Sequence, residues 1–191
     1  AEVSLGSYMV NYFLSLDLAA TVRETSFMRT IAEWILSTGV SSSSDMAVVG
    51  VFVTFYWTGA MIGRFIGSYL TSIFNPAKIL SIFALGAIGM ILISNFSVGL
   101  AAMWTIIGVG LFNSIMFPTI FSLALDGLGD DKAQGSGVLC TMIVGGAIIP
   151  PAYGYLTDSF NFNIALILVM ACYAYIFYYA FSNKRRKVVV A

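Results

Sequence analysis

Four side chains able to hold a polar solute stand inside stretches that are otherwise apolar: Glu2, Arg64, Asn113 and Phe117. Arg64 offers a planar fork of five N–H donors. It lies about ten residues before the helix-breaking pair Asn75-Pro76, roughly 15 Å of helical rise. A charge at the centre of a membrane helix costs about 2.5 to 3.5 kcal/mol on insertion scales, so it is usually retained for a partner or a polar pathway. Two readings of Arg64 stand side by side. It snorkels to headgroups or pairs with a neighbouring helix C-terminus, or it faces a polar cavity as a donor. Glu2 is the only carboxylate inside an apolar span; it either marks the membrane interface or accepts a proton and hydrogen-bonds a polyol. Asn113, Ser114, Phe117, Pro118 and Thr119 together interrupt another apolar run. Pro118 removes one backbone donor and frees the carbonyl of Ser114. On a continuous helix Asn113 and Phe117, four positions apart, share a face. An amide for hydroxyls beside a ring for the apolar face of a sugar is what a hexose site needs; a proline kink braced by Asn113 and Ser114 is the plainer alternative.

The elements that position these groups are membrane helices. Residues 79–125 carry no charged side chain and are divided only by the polar patch around Asn95. A run of about 20 apolar residues crosses a hydrocarbon core of roughly 30 Å as a helix, and only helices or closed barrels satisfy their own backbone there. The whole chain of 191 residues is 59% hydrophobic and 9% charged, whereas a soluble domain carries about 25% charged residues. The expected fold is therefore all-α and integral to the membrane, a bundle of six spans at about 1–16, 46–73, 79–96, 98–125, 136–156 and 164–181. Membrane lipid is then its solvent. A formal charge of zero and the lack of a basic, aromatic-interleaved stripe give no reason to expect nucleic acid. With no His and no clustered nucleophile or acid–base groups, neither a metal site nor an enzyme is expected. Cys140 and Cys172 fall inside apolar spans and read as packing residues.

Gly59, Gly63 and Gly67 recur every four residues and line one face of the second span, where small residues let another helix approach closely. Gly137, Thr141 and Gly145 repeat the pattern in the fifth. Such a seam suits fixed packing and a sliding interface equally. Gly145-Gly146 followed by Pro150-Pro151 marks a bent or broken helix, a feature transporters place near binding sites.

Residues 17–45 are too polar to cross a bilayer. Phe27, Met28, Ile31, Trp34 and Ile35 nevertheless recur at helical spacing, which fits a helix lying at the interface with Trp34 at headgroup level, or a solvated loop helix. A flexible linker is expected at the four serines that follow, 41–44. Short loops rich in Lys and Arg stay in the cytoplasm. The tail at 183–191, with Lys184, Arg185, Arg186 and Lys187, places the C-terminus inside, and Lys78 and Lys132 fall on the same side. About seven basic residues are then inside, Arg64 included, against Arg23 and Arg29 outside. The first span is short and has no initiator Met, so the sequence reads as part of a longer chain.

Four segments taken in order resemble the sugar:proton symporters of the major facilitator superfamily, in the branch of fucose permeases and glucose/galactose permeases. They are residues 1–7 (Ala-Glu-Val-Ser-Leu-Gly-Ser), 59–68 (Gly-Ala-Met-Ile-Gly-Arg-Phe-Ile-Gly-Ser), 112–123 (Phe-Asn-Ser-Ile-Met-Phe-Pro-Thr-Ile-Phe-Ser-Leu) and 135–150, from Gly-Ser-Gly to Gly-Gly-Ala-Ile-Ile-Pro. The third is the most distinctive. The resemblance implies the C-terminal half of a twelve-helix permease, helices seven to twelve, in a bacterial-type inner membrane. It implies hexose uptake with the proton as coupling ion, by alternating access and without a cofactor. Arg64, Phe117, Glu2, Asn113 and Trp57 would border the sugar, while Gly59, Gly63, Gly67, Pro118, Gly145, Gly146 and Pro150 would serve packing and hinging. The partner implied is an N-terminal six-helix half bearing the proton-coupling carboxylates. Fucose-branch relatives have Gln in place of Glu2 and Tyr in place of Phe117, so the glucose/galactose branch fits better. The 17–45 segment is extended relative to that family. A permease for another small solute, such as an organic acid or a drug, and a noncatalytic scaffold built on the glycine faces are the alternatives.

Overall fold

The computed structural model describes residues 1–36 and 39–183. The basic tail used to orient the chain lies outside the described residues. Among the described residues eleven α-helices run in order: α1 Glu2–Ser15, α2 Leu18–Glu24, α3 Ser26–Leu36, α4 Asp45–Gly50, α5 Val53–Ile73, α6 Pro76–Phe96, α7 Gly99–Asn113, α8 Met116–Leu125, α9 Lys132–Thr141, α10 Gly145–Ser159 and α11 Phe162–Asn183. Short 3₁₀ turns fall at Val40–Ser42, Gly129–Asp131 and Met142–Val144. Five segments of the described residues are long and apolar enough to cross a membrane: Asp45–Ile73, Pro76–Phe96, Gly99–Leu125, Gly129–Ser159 and Phe162–Asn183. At 14 residues, α1 is shorter than any of these.

Local chemistry sets the boundaries. Asn75 accepts from the Ala77 amide at 2.9 Å and Pro76 takes the first helical position, where its missing N–H costs nothing. Asn161 caps α11 by accepting from the Ile164 amide at 2.9 Å. Gly127 and Gly129 adopt positive φ (82° and 52°) in the reversal from α8 to α9, a conformation that favours glycine.

Helix α6 is apolar on every side and packs against α7 and α11, leaving Ile82, Leu85 and Ile93 on an exposed face. On α5 the inward face is Tyr56, Ala60, Gly63 and Gly67, spaced as a helix requires. Its glycines meet α7 and the turn after it as the spacing implies: a Cβ at Gly63 would collide with the Leu111 carbonyl, one at Gly67 with Ile115, and one at Gly59 would stand 3.6 Å from the Leu111 amide. At the other end of the bundle, Tyr12 of α1 reaches Ser94 Oγ at 3.0 Å and Ser94 Oγ donates to the Ala102 carbonyl at 2.9 Å, joining α1, α6 and α7.

The second glycine series behaves differently. A Cβ at Gly137, Gly145 or Gly146 meets nothing within 4 Å, and α9 has no buried residue. The expected packing face of Gly137, Thr141 and Gly145 therefore has no helix against it here. The break also lies elsewhere than at the prolines. It is the 3₁₀ turn Met142–Val144, while Pro150 and Pro151 stay inside α10, which is anchored on α1 through Tyr153 and Gly154.

The four serines are not a flexible linker. Ser42 and Ser43 hydroxyls donate to the Gly39 carbonyl at 2.8 and 3.2 Å, and Ser44 caps α4 by accepting from the Ala47 amide. Helix α3 is amphipathic: Met28 and Ala32 are buried, Arg29 pairs with Glu33 at 2.9 Å on the polar side, and Phe27 and Trp34 project outward from a third face. Arg23 ties α2 to the start of α4, donating to Asp45 at 2.5 Å and to the Ser43 carbonyl at 3.0 Å. That pair is partly exposed, and such pairs contribute about 0.5 kcal/mol. Arg23→Ala should lower the thermal midpoint in detergent only slightly, and the difference should shrink in high salt; a large, salt-independent drop would show that the tether holds the bundle itself.

Candidate functional site

Helix α8 separates two cavities. On one side, α1 supplies Glu2, α8 supplies Phe117, Ile120 and Phe121, and the α9–α10 break supplies Met142, Ile143 and Gly146, around about 340 Å³. Phe117 and Phe121 lie 5.9 Å apart between ring centroids. On the other side, Arg64, Ser68, Thr71 and Ser72 of α5 face Ile115, Pro118, Thr119 and Ser122 across about 520 Å³. Phe117 and Pro118, neighbours in sequence, thus serve opposite cavities. The first is apolar with a single carboxylate, which suits the less polar face of a ring solute. The second offers a guanidinium and five hydroxyls, which suits oxygen-rich groups.

Arg64 occupies an intermediate position between its two sequence readings. Its Nε donates to the Ser114 carbonyl at 3.4 Å, the group that Pro118 leaves without a helical donor. That is a contact with a helix C-terminus. The rest of the fork remains available to the cavity, and no carboxylate lies within ion-pair distance of it among the described residues.

Asn113 and Phe117 do not share a face. The helix is interrupted at Ser114 and Ile115, which turns α8 relative to α7 and separates the pair: Asn113 is 3% exposed and Phe117 is 53% exposed. Asn113 lines neither cavity. Its Nδ2 donates to the Tyr56 hydroxyl at 2.7 Å, and its Oδ1 accepts from the Tyr173 hydroxyl. Trp57 also lines neither cavity; it stands edge-on to Tyr56 at 5.3 Å and lies over Gly6, where a Cβ would come within 3.1 Å of its ring. Seven residues separate Trp57 from Arg64, so both occupy the outward stripe of α5.

Sequence reasoning missed Tyr56, Tyr173 and the hydroxyl set. A signal existed for each. A tyrosine in an apolar span needs a partner for its hydroxyl, and Ser68, Thr71 and Ser72 follow Arg64 at four, seven and eight residues, on its own face. Pro76 and Ser122 also border a third cavity with Asp126 and Lys132, so the turns before α6 and before α9 lie at one end of the bundle.

No family model matches the chain. A glucose/galactose transporter of Brucella abortus is 43% identical over 185 residues, 97% of this chain and 39% of that protein. A putative glucose/galactose transporter of Helicobacter pylori is 38% identical over 85% of this chain and 40% of its own length. The L-fucose-proton symporter of Escherichia coli is 39% identical over 68% of this chain and 31% of its own length. Among solved structures, the major facilitator transporter FucP in its outward conformation superposes with a TM-score of 0.71 at 28% identity, covering 97% of this chain and 44% of that one. The chain thus spans about two fifths of the length of the curated relatives it matches.

Proposed function

The chain belongs to the major facilitator family of sugar transporters that includes those relatives, and we propose that it forms the C-terminal six-helix half of a permease that takes up a hexose together with a proton. The observation that carries this reading is the arrangement around α8: an arginine with no carboxylate partner among the described residues, in a hydroxyl-lined cavity, backed by a ring-lined cavity with one carboxylate. Sugar hydroxyls match the first and a pyranose face matches the second. Names of the relatives support the substrate class: glucose/galactose transporter and L-fucose-proton symporter. The match to part of their length, together with the open face of α9 and α10, supports a second bundle seated on that face. Alternating access then consists of the two bundles rocking about a midplane site. In this arrangement the protein sits in the inner membrane with its C-terminus in the cytoplasm, on the side of Lys78 and Lys132, and needs no cofactor beyond the transported proton.

Glu2, Arg64 and Phe117 are the groups proposed to touch sugar. Trp57 is placed on the same outward stripe of α5 as Arg64, and Asn113 acts from behind. The glycine seam of α5, Pro118, Gly145 and Gly146 at the start of α10, and Pro150 within it are the proposed packing and hinge positions.

Arg64 also favours a second reading, an organic acid as solute, because its charge is unneutralised. The complete permease in proteoliposomes separates the two. Adding D-glucose or D-galactose should drive inward proton movement and accumulation that a protonophore abolishes. Hexose uptake without proton movement would remove the coupling, and uptake of carboxylates in place of hexoses would favour the second reading.

A further inference from the structure

The buried amide of Asn113 joins three helices. Tyr173 of α11 donates to its Oδ1, and its Nδ2 donates to Tyr56 of α5 at 2.7 Å. All three side chains are at most 3% exposed, and none lines either of the two cavities beside α8. Opposite ends of one amide are thus engaged by hydroxyls from two different helices. Asn113 is also the last residue of α7, immediately before Ser114, whose carbonyl holds Arg64.

The separation of α5 and α7 is set by small residues: a Cβ at Gly63 would collide with Leu111, and one at Gly110 with the Tyr56 backbone. Such a seam fixes distance, and it constrains rotation less directly than a hydrogen bond between the helices does. Rotation is what Arg64 depends on. Turning α7 by about 20° moves an atom at the backbone radius of about 2.3 Å by roughly 0.8 Å, enough to break a contact already 3.4 Å long.

We infer that the Tyr56–Asn113–Tyr173 clamp is a positioning device, fixing the rotation of the last turn of α7 so that the Ser114 carbonyl aims the Arg64 guanidinium into its cavity. Tyr56, Asn113 and Tyr173 then control solute affinity without touching solute. The link to affinity rests on the permease reading above; the link to Arg64 does not.

The test therefore reads Arg64 directly. In the complete permease with Cys140 and Cys172 replaced by alanine, Ser68→Cys places a thiol one turn from Arg64 on its own face. A nearby cation speeds an anionic methanethiosulfonate reagent and slows a cationic one, so the ratio of the two rates reports where the guanidinium is. Arg64→Gln sets the floor of that ratio. Tyr173→Phe keeps the ring and removes one hydroxyl, and it should lower the ratio about threefold or more toward that floor. Apparent hexose KM should rise with little change in maximal rate. Tyr56→Phe should act in the same direction and stands in if Tyr173→Phe fails to fold. A ratio unchanged in either folded variant, with only a lowered melting temperature, would overturn the inference, since a purely structural bond shifts stability alone. A lowered ratio in a protein that moves no hexose would leave the clamp standing and remove the sugar reading.

Discussion

Gly63→Ala is expected to remove most of the folded protein. The added methyl would be driven into the Leu111 carbonyl oxygen and carbon and the Ser114 hydroxyl. Two of those atoms are helix backbone and cannot rotate away. Relief requires α5 to withdraw from α7, which also opens the contacts at Gly59 and Gly67 and pulls Tyr56 from Asn113. Overpacking a tight core costs about 1 to 3 kcal/mol even where side chains can yield, and in lipid no hydrophobic drive pushes the helices back together. Gly89→Ala is the control, because a Cβ there meets nothing within 4 Å and alanine favours helix by about 1 kcal/mol. Monodisperse yield in detergent should collapse for Gly63→Ala and stay level or rise for Gly89→Ala. Equal yields for the two would show that the seam is looser than the geometry implies.

The second large effect falls on Arg64. Its guanidinium is the cation of the hydroxyl-lined cavity, and a hydrogen bond from a charged group contributes about 1.5 to 3 kcal/mol. Arg64→Ala should therefore raise the apparent KM for hexose about tenfold to hundredfold, with the melting temperature held or raised, since an intramembrane charge is costly to insert. Arg64→Lys keeps the charge and loses the planar fork, so it should recover only part of the affinity. Wild-type affinity in Arg64→Ala would reduce Arg64 to a helix-end contact.

The parts of this fold legible in the sequence are those decided locally. Asn75-Pro76 marks a helix start because a capping side chain and a fixed φ act within two residues. The glycines at 59, 63 and 67 announce a close approach because small residues at that spacing let helices meet in lipid, although the partner, Leu111 to Ile115, is not written in it. Illegible features depend on how helices turn against one another. Asn113 and Phe117 are four residues apart, yet the interruption at Ser114 and Ile115 separates them, burying one and exposing the other. The tyrosine partners of Asn113 come from 57 and 60 residues away, and no periodicity predicts that meeting. Gly137 and Gly145 carry the same small-residue signal as the α5 seam without a helix against them. The serines at 41–44 read as a linker by composition and act as a turn and a cap through individual hydroxyls.

The central proposal is that a water-filled hexose site adjoins α8, and Met142 tests it most directly. This side chain is exposed at the cavity that also holds Glu2 and Phe117. In the complete permease freed of its native cysteines, Met142→Cys should react with a charged, membrane-impermeant thiol reagent, and D-glucose or D-galactose should slow that reaction saturably while L-glucose does not. A thiol that the charged reagent never reaches, or that reacts at the same rate whether or not hexose is present, would contradict the account.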